Sequence, residues 1–237
     1  RAVAAKSADC SRSSADHGVK RFLARQLANP SGLAGRLVGR MMKLANREPT
    51  RLAIEALEIQ SGDCVLDLGC GPGQAAALML PLSRSGSVTG VDQSPTMIRQ
   101  ANRDNGRAVA AGKMAFHVAR FEALPFADGC FHAVFASNVM YFWHDTDAVL
   151  REIRRVLRPG GRLSIYLTSA ESMKDWGFAE AGTHRLFSAE DVASALRVAG
   201  FGDDACSIRT VAIGKGVTGI VATARCAPRD TGILQAA

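Results

Sequence analysis

The sequence has no C-x-x-C pair and no cysteine near a histidine at zinc-finger spacing, which argues against a zinc ribbon or a thioredoxin-like redox site. Its six cysteines (Cys10, Cys64, Cys70, Cys130, Cys206 and Cys226) are scattered, several of them in apolar strand-like runs. Buried reduced thiols are the expectation, and no metal site is expected. No stretch of about 18 residues is free of charge or Gly/Pro breaks, so a membrane-spanning helix is not expected. A secretory apolar core is also lacking, and the expected location is cytoplasmic. Aromatic residues make up only 6% of the 237 residues, and residues 1–51 hold one, Phe22, so a base-stacking platform for nucleic acid is poor there.

Acidic residues are scarce at one end. Arg1 to Arg51 contain 11 Lys/Arg and 3 Asp/Glu, whereas the remainder holds 18 and 19. The net charge of +7 therefore belongs to an N-terminal arm and not to the body of the chain. Such an arm can steer an anionic substrate, touch an anionic surface or dock on RNA. With 47% hydrophobic residues, the body can bury a core of domain size.

Residues 1–16 are Ala/Ser/Arg-rich without an apolar period and read as a flexible tail. Val19, Phe22, Leu23 and Leu27 recur at helical spacing up to Asn29-Pro30-Ser31-Gly32. Leu33, Leu37, Met41, Met42 and Leu44 form a second helical stripe. Pro49 opens a third helix, with Leu52, Ala53, Ala56 and Leu57 on one face. After Gly62 short β-rich runs alternate with helical patterns. Strands are expected at 65–68, 87–91, 114–118, 133–136, 163–167, 206–213 and 217–225. Helices are expected at 74–80 (ended or bent by Pro81), 94–105 (capped by Ser94), 145–157 and after Ser188, where Asp191 completes a short-armed capping box. Alternation of this kind makes a mostly parallel sheet with helices on both faces. Gly214-Lys215-Gly216 is hairpin-like and makes the last strand antiparallel. The expected fold is α/β: a Rossmann-like, doubly wound, seven-stranded sheet, with residues 17–60 as an N-terminal helical lid, 61–228 as the main domain and 229–237 as a C-terminal tail.

The strongest chemical signal is Val65-Leu66-Asp67-Leu68-Gly69-Cys70-Gly71-Pro72-Gly73, an apolar strand entering a glycine-rich turn that opens a helix. Glycines let the chain turn sharply and let a ligand lie against the backbone. The spacing differs from the dinucleotide G-x-G-x-x-G. Gln74 stands at the last glycine position and Pro72 interrupts, so the turn suits a bulky uncharged edge better than a pyrophosphate. Asp92, 19 residues past Gly73 at the end of the next strand, is placed to accept hydrogen bonds from ribose hydroxyls.

With Phe121-Glu122-Ala123-Leu124-Pro125-Phe126, Cys130-Phe131-His132-Ala133-Val134 and Arg155-Val156-Leu157-Arg158-Pro159-Gly160-Gly161 added, the chain resembles the class I S-adenosylmethionine-dependent methyltransferases, in their small-molecule branch. The resemblance runs from about Asp63 to Arg225. It implies S-adenosyl-L-methionine as cofactor, with Asp67, Gly69, Cys70, Gly71 and Gln74 around its methionine part. It implies Asp92 at the ribose, Gln93 beside the adenine, and backbone of Asn138 near the sulfonium. At the adenine site relatives often carry an Asp before E-x-L-P-F, but this chain has Ala119-Arg120-Phe121. Arg120 either stacks on the purine or points outward while the Phe121 amide makes the contact; the second is preferred. His132 replaces the usual Asp of the F-D pair, a structural position.

Acceptors should sit above the carboxyl ends of the strands, where Asn138 to Asp145 lies. Tyr141, Phe142, Trp143 and His184 are the expected acceptor wall, with His144 and Tyr141 as candidate acid–base groups and His117 structural. Arg40, Met41 and Asn46 are the lid candidates. The expected reaction is in-line methyl transfer to a small molecule, with no nucleic acid or stable membrane insertion and a monomer or homodimer. The alternatives are an enzyme acting on RNA or protein through the basic arm, and a non-catalytic or dinucleotide-binding Rossmann protein.

Overall fold

The computed structural model describes residues 47–174, 185–214 and 216–227. The tail at 1–16, the helical stripes at 17–44, the lid candidates Arg40, Met41 and Asn46, the acceptor candidate His184 and the C-terminal tail all lie outside the described residues, as does Lys215.

The elements in chain order are α1 (Arg47–Ala56), β1 (Cys64–Leu68), α2 (Gln74–Ser83), β2 (Ser87–Asp92), α3 (Pro95–Asp104), α4 (Gly106–Ala110), β3 (Met114–Val118), β4 (Phe131–Ser137), a 3₁₀ turn (Met140–Phe142), α5 (Thr146–Val156), β5 (Leu157–Thr168), α6 (Ala170–Met173), α7 (Ala189–Val198), a second 3₁₀ turn (Asp203–Ala205), β6 (Cys206–Gly214) and β7 (Val217–Arg225). The seven strands form one sheet in the order β3-β2-β1-β4-β5-β7-β6. Strands β1 to β5 run parallel, and β7 lies antiparallel between β5 and β6. The order in which strands are added reverses between β1 and β4, which run parallel, so the loops after β1 and β4 diverge from one carboxyl edge.

Period-two alternation divides the strand side chains between two cores. Val65, Val88, Ala133, Phe135 and Tyr166 face α1, α2 and α3, where Ala53, Ile54, Leu57, Ala76, Met79, Ile98 and Ala101 meet them. Leu66, Val91, Val134, Ala136, Leu163 and Ile165 face α5 and α7 through Val149, Leu150, Ile153, Val192 and Leu196. Helix α1 belongs to the first layer. The Ser164 hydroxyl donates to its Ala53 carbonyl at 2.8 Å, so this part of the 17–60 span covers the sheet.

Local chemistry sets most boundaries. Ser94 caps α3 by accepting from Met97 N–H, with Pro95 following it. Asp145 caps α5 through Ala148 N–H at 2.9 Å. Ser188 and Asp191 bond reciprocally at the start of α7, as a capping box does. The short helices α4 and α6 are not among the expected elements, β4 begins two residues early, and two boundaries differ more. Pro81 does not end α2, which continues to Ser83; near a helix C-terminus a proline removes few bonds from the ladder. Strand β5 starts at Leu157, well before 163, because a register shift against β4 between Phe131 and Ala133 absorbs the Pro159-Gly160-Gly161 segment. Among the cysteines, Cys70 is buried, Cys64, Cys206 and Cys226 are half-buried, and Cys130 is exposed.

Candidate active site

The turns after β1, β3 and β4 are held by hydrogen bonds to neighbouring strand ends along the carboxyl edge. Gly69 and Cys70 N–H both donate to the Val91 carbonyl, at 2.8 and 3.0 Å. Ala119 N–H donates to the Asp92 carbonyl at 3.2 Å, and Asn138 N–H to the Tyr166 carbonyl at 2.8 Å. The turns after β1 and β3 are thereby tied to the end of β2, and the turn after β4 to β5.

The three glycines of the first turn serve different ends. All have positive φ (75°, 51° and 78° for Gly69, Gly71 and Gly73). A Cβ on Gly69 would stand 2.4 Å from Val139 Cγ2, and one on Gly73 2.6 Å from Asn105 Nδ2. Those two glycines admit close packing of neighbouring segments. A Cβ on Gly71 would meet nothing within 4 Å among the described residues. Its face of the turn is open, as a seat for a ligand must be. Cys70 turns its buried thiol into the core beside Gly90, leaving its backbone on the turn. Gln74, half-buried, opens α2.

Two carboxylates flank this turn. Asp92 is held rigidly: its Oδ2 accepts from Gly71 N–H at 2.9 Å and its Oδ1 from Ser94 N–H at 2.8 Å. Burial pushes its carboxyl upward, against the lowering effect of those two amides. Asp67 is 2% exposed. Burial raises it to about 7; the Ala76 amide opposes the shift and the charge of Asp92 adds to it. Its Oδ2 has no hydrogen-bond partner among the described residues. A buried carboxylate oxygen without a partner is costly, and a cationic ligand group would relieve it. The open face at Gly71, the fixed carboxylate of Asp92 and the orphan oxygen of Asp67 thus fit an adenosyl cofactor bearing an ammonium group.

Beyond β3, the Arg120 side chain is 80% exposed and lies 3.5 Å from Glu122. It points outward, while Phe121 is buried in the core beneath the loop. Gln93 is exposed next to Asp92. The Leu124-Pro125-Phe126 segment is clamped from α5, an arrangement with no simple periodic signal in the sequence. Glu152 Oε1 accepts from Leu124 N–H at 2.7 Å, and Arg155 donates to the Phe126 and Leu124 carbonyls at 2.8 and 3.2 Å. Arg155 also pairs with Glu152 and Asp128; these carboxylates hold its guanidinium above the usual range, and Arg155 in turn holds Glu152 below its own. His117 meets Phe126 edge-on, with ring centroids 5.6 Å apart. His132, in place of the F-D aspartate, accepts from Cys64 N–H at 3.1 Å through Nδ1. That contact needs a neutral ring, and burial with the Arg158 charge lowers its pKa accordingly.

The segment after β4 divides its side chains. Trp143 is 1% exposed within the core, and its indole nitrogen has no partner among the described residues. Tyr141 is buried, with its hydroxyl bonded to Asn138 and Thr168, and burial raises its pKa. Phe142 is half-buried, edge-on to Tyr141. His144 is exposed. The loop is thus anchored through Tyr141 and Trp143, with Phe142 packed partly against the core and His144 exposed among the described residues.

A family model described as a methyltransferase domain matches residues 66–165. The O-methyltransferase resE of Aspergillus sclerotiorum is 32% identical over 68% of this chain and 62% of its own length. The O-methyltransferase rstn1 of Aspergillus nomiae is 31% identical over 68% of this chain and 73% of its own. The chain spans less than two thirds of the length of resE. Among solved structures, the [4+2]-cyclase SpnF superposes with a TM-score of 0.65 at 22% identity, covering 76% of this chain and 81% of that one. The strand order with antiparallel β7, the glycine turn and its two carboxylates, and a relative aligned over most of its length agree: the chain belongs to the class I S-adenosylmethionine-dependent methyltransferase family.

Proposed function

We propose that this protein transfers a methyl group from S-adenosyl-L-methionine to a hydroxyl of a small-molecule acceptor, leaving S-adenosylhomocysteine. The observation that carries this reading is the cofactor seat: among the described residues, an Asp67 oxygen without a partner and an anchored Asp92 stand beside a turn whose Gly71 face is open. The choice of a hydroxyl acceptor rests on the names of the relatives.

When bound, the cofactor supplies a methyl already activated by its sulfonium. Asp92 keeps a free lone pair on each oxygen for the ribose hydroxyls after accepting from Gly71 and Ser94. Asp67 faces the ammonium group, Gln93 and the Phe121 amide flank the adenine, and the Asn138 main chain lies by the sulfur. The acceptor sits against Phe142, in line with the methyl, so that alignment and exclusion of water do most of the work. His144 takes the hydroxyl proton as general base.

Calorimetric titration with S-adenosylhomocysteine and, separately, NAD tests the seat: saturable binding of the first alone is expected, and NAD binding would overturn it. Mass spectrometry of pooled hydroxylated metabolites incubated with labelled cofactor then tests the acceptor class. Labelling confined to RNA or protein would favour the basic-arm reading.

A further inference from the structure

The turn after β4 carries the one non-glycine residue of the site with left-handed backbone. Asn138 has φ 52°, a conformation Asn tolerates better than most residues but which still costs energy. Something must hold it. On one side its N–H donates to the Tyr166 carbonyl at 2.8 Å. On the other, its Oδ1 lies 3.0 Å from the Tyr141 hydroxyl. The same hydroxyl accepts from Thr168 N–H and lies 3.3 Å from the Thr168 carbonyl. Thr168 is the last residue of β5, the adjacent strand. Between Asn138 and Tyr141, Val139 packs onto the Gly69 backbone so closely that a Cβ there would overlap it. One phenol therefore ties the end of β4 to the end of β5, through a turn that also presses on the cofactor loop.

We propose that Tyr141 is a positioning residue, whose hydroxyl, held by Thr168, fixes the left-handed turn at Asn138 and so sets the main chain that lies against the sulfur of the cofactor. This rests on the cofactor seat proposed above. Tyr141 itself moves no proton in this scheme. Its hydroxyl has one hydrogen, the Asn138 oxygen is the nearer acceptor, and its own acceptor capacity serves the Thr168 amide. Removing the hydroxyl releases both Asn138 and the Thr168 amide while leaving the ring, and with it the packing of the core, in place.

The test compares two ligands that share the adenosine half. Tyr141→Phe should weaken S-adenosylmethionine by about fivefold or more while changing the affinity for adenosine by less than about twofold. A general loosening of the domain would weaken both alike, and equal losses or an unchanged S-adenosylmethionine affinity would overturn the proposal. Asn138→Gly reaches the same φ without the side-chain tie. If Tyr141 acts through Asn138, adding Tyr141→Phe to Asn138→Gly should cause no further loss, whereas additive losses would contradict it. Should Tyr141→Phe fail to fold, Asn138→Gly alone reports the same contact: a loss selective for S-adenosylmethionine supports the tie, and an equal or absent loss removes it. Failure of the unaltered protein to bind either ligand would instead refute the cofactor seat.

Discussion

The two halves of the carboxyl edge are built from different materials. On the side of β1 and β2 the site is mainly backbone: a turn of glycines, the amides of Gly71 and Ser94, and two carboxylates whose surroundings are fixed by main-chain donors. On the side of β4 and β5 it is side chain: Phe142 and His144 at the rim, Tyr141 and Trp143 beneath. Backbone contacts are altered mainly by changing the path of the chain, so a seat built largely of them suits an invariant cofactor. A side-chain rim can be exchanged residue by residue, so it suits a variable acceptor.

The sharpest test of the division is Gly71→Val. The added side chain enters the open face of the turn, and S-adenosylhomocysteine affinity should fall by about a hundredfold, close to 3 kcal/mol. The backbone strain of about 1–2 kcal/mol should lower Tm by only ~2–8 °C. Calorimetry and thermal melts on one sample check both; normal binding would remove the turn as the seat.

His144→Ala probes the other half and should do the converse. Turnover of an identified acceptor should drop by about a hundredfold, as for loss of a general base. Cofactor affinity should stay within about twofold, because the exposed ring has no part in the seat. A parallel fall in cofactor binding would blur the two halves into one.

Asp92→Ala should weaken S-adenosylhomocysteine more than tenfold, since each hydrogen bond to a charged acceptor contributes about 1.5–3 kcal/mol. Circular dichroism should report an intact fold. Unchanged affinity would remove Asp92 from the ribose.

Acid should act on the seat through Asp67. With its pKa raised to about 7 in the free protein, the folded state holds this proton more tightly than the unfolded chain does. The corresponding stability is complete below the unfolded value of about 3.9 and is lost as pH rises through 7. The cationic cofactor prefers the carboxylate, so affinity should fall by about tenfold from pH 8 to pH 6, with proton release near pH 7. Titration in buffers of differing ionisation enthalpy measures that proton, and Asp67→Asn should abolish it. The smallest effect belongs to Arg120→Ala: an 80% exposed side chain should change cofactor affinity by less than about twofold, whereas a larger loss would restore the stacking reading.

What the sequence determined by itself is what short-range physics determines. Alternation of period two and period 3.6 placed the strands and helices; Ser94, Asp145 and the Ser188–Asp191 pair marked helix starts through side chains that reach backbone only three residues on. The glycine turn and Asp92 were legible because a ligand-facing backbone needs residues without Cβ and a ribose needs a fixed acceptor. The tertiary structure alone decided which glycine faces open space and which faces Val139, because that depends on a loop 70 residues away. It also decided that Arg155 and Glu152 clamp the Leu124–Phe126 segment, and that β5 starts early, since a register shift exists only between two strands. The same holds for Tyr141 and Trp143. In sequence both look like exposed aromatic wall; in the fold one is a hydrogen-bonded tie and the other is core. Burial is a property of what packs around a side chain, and those neighbours come from β5, α5 and the segment before α7, which no local pattern brings into view.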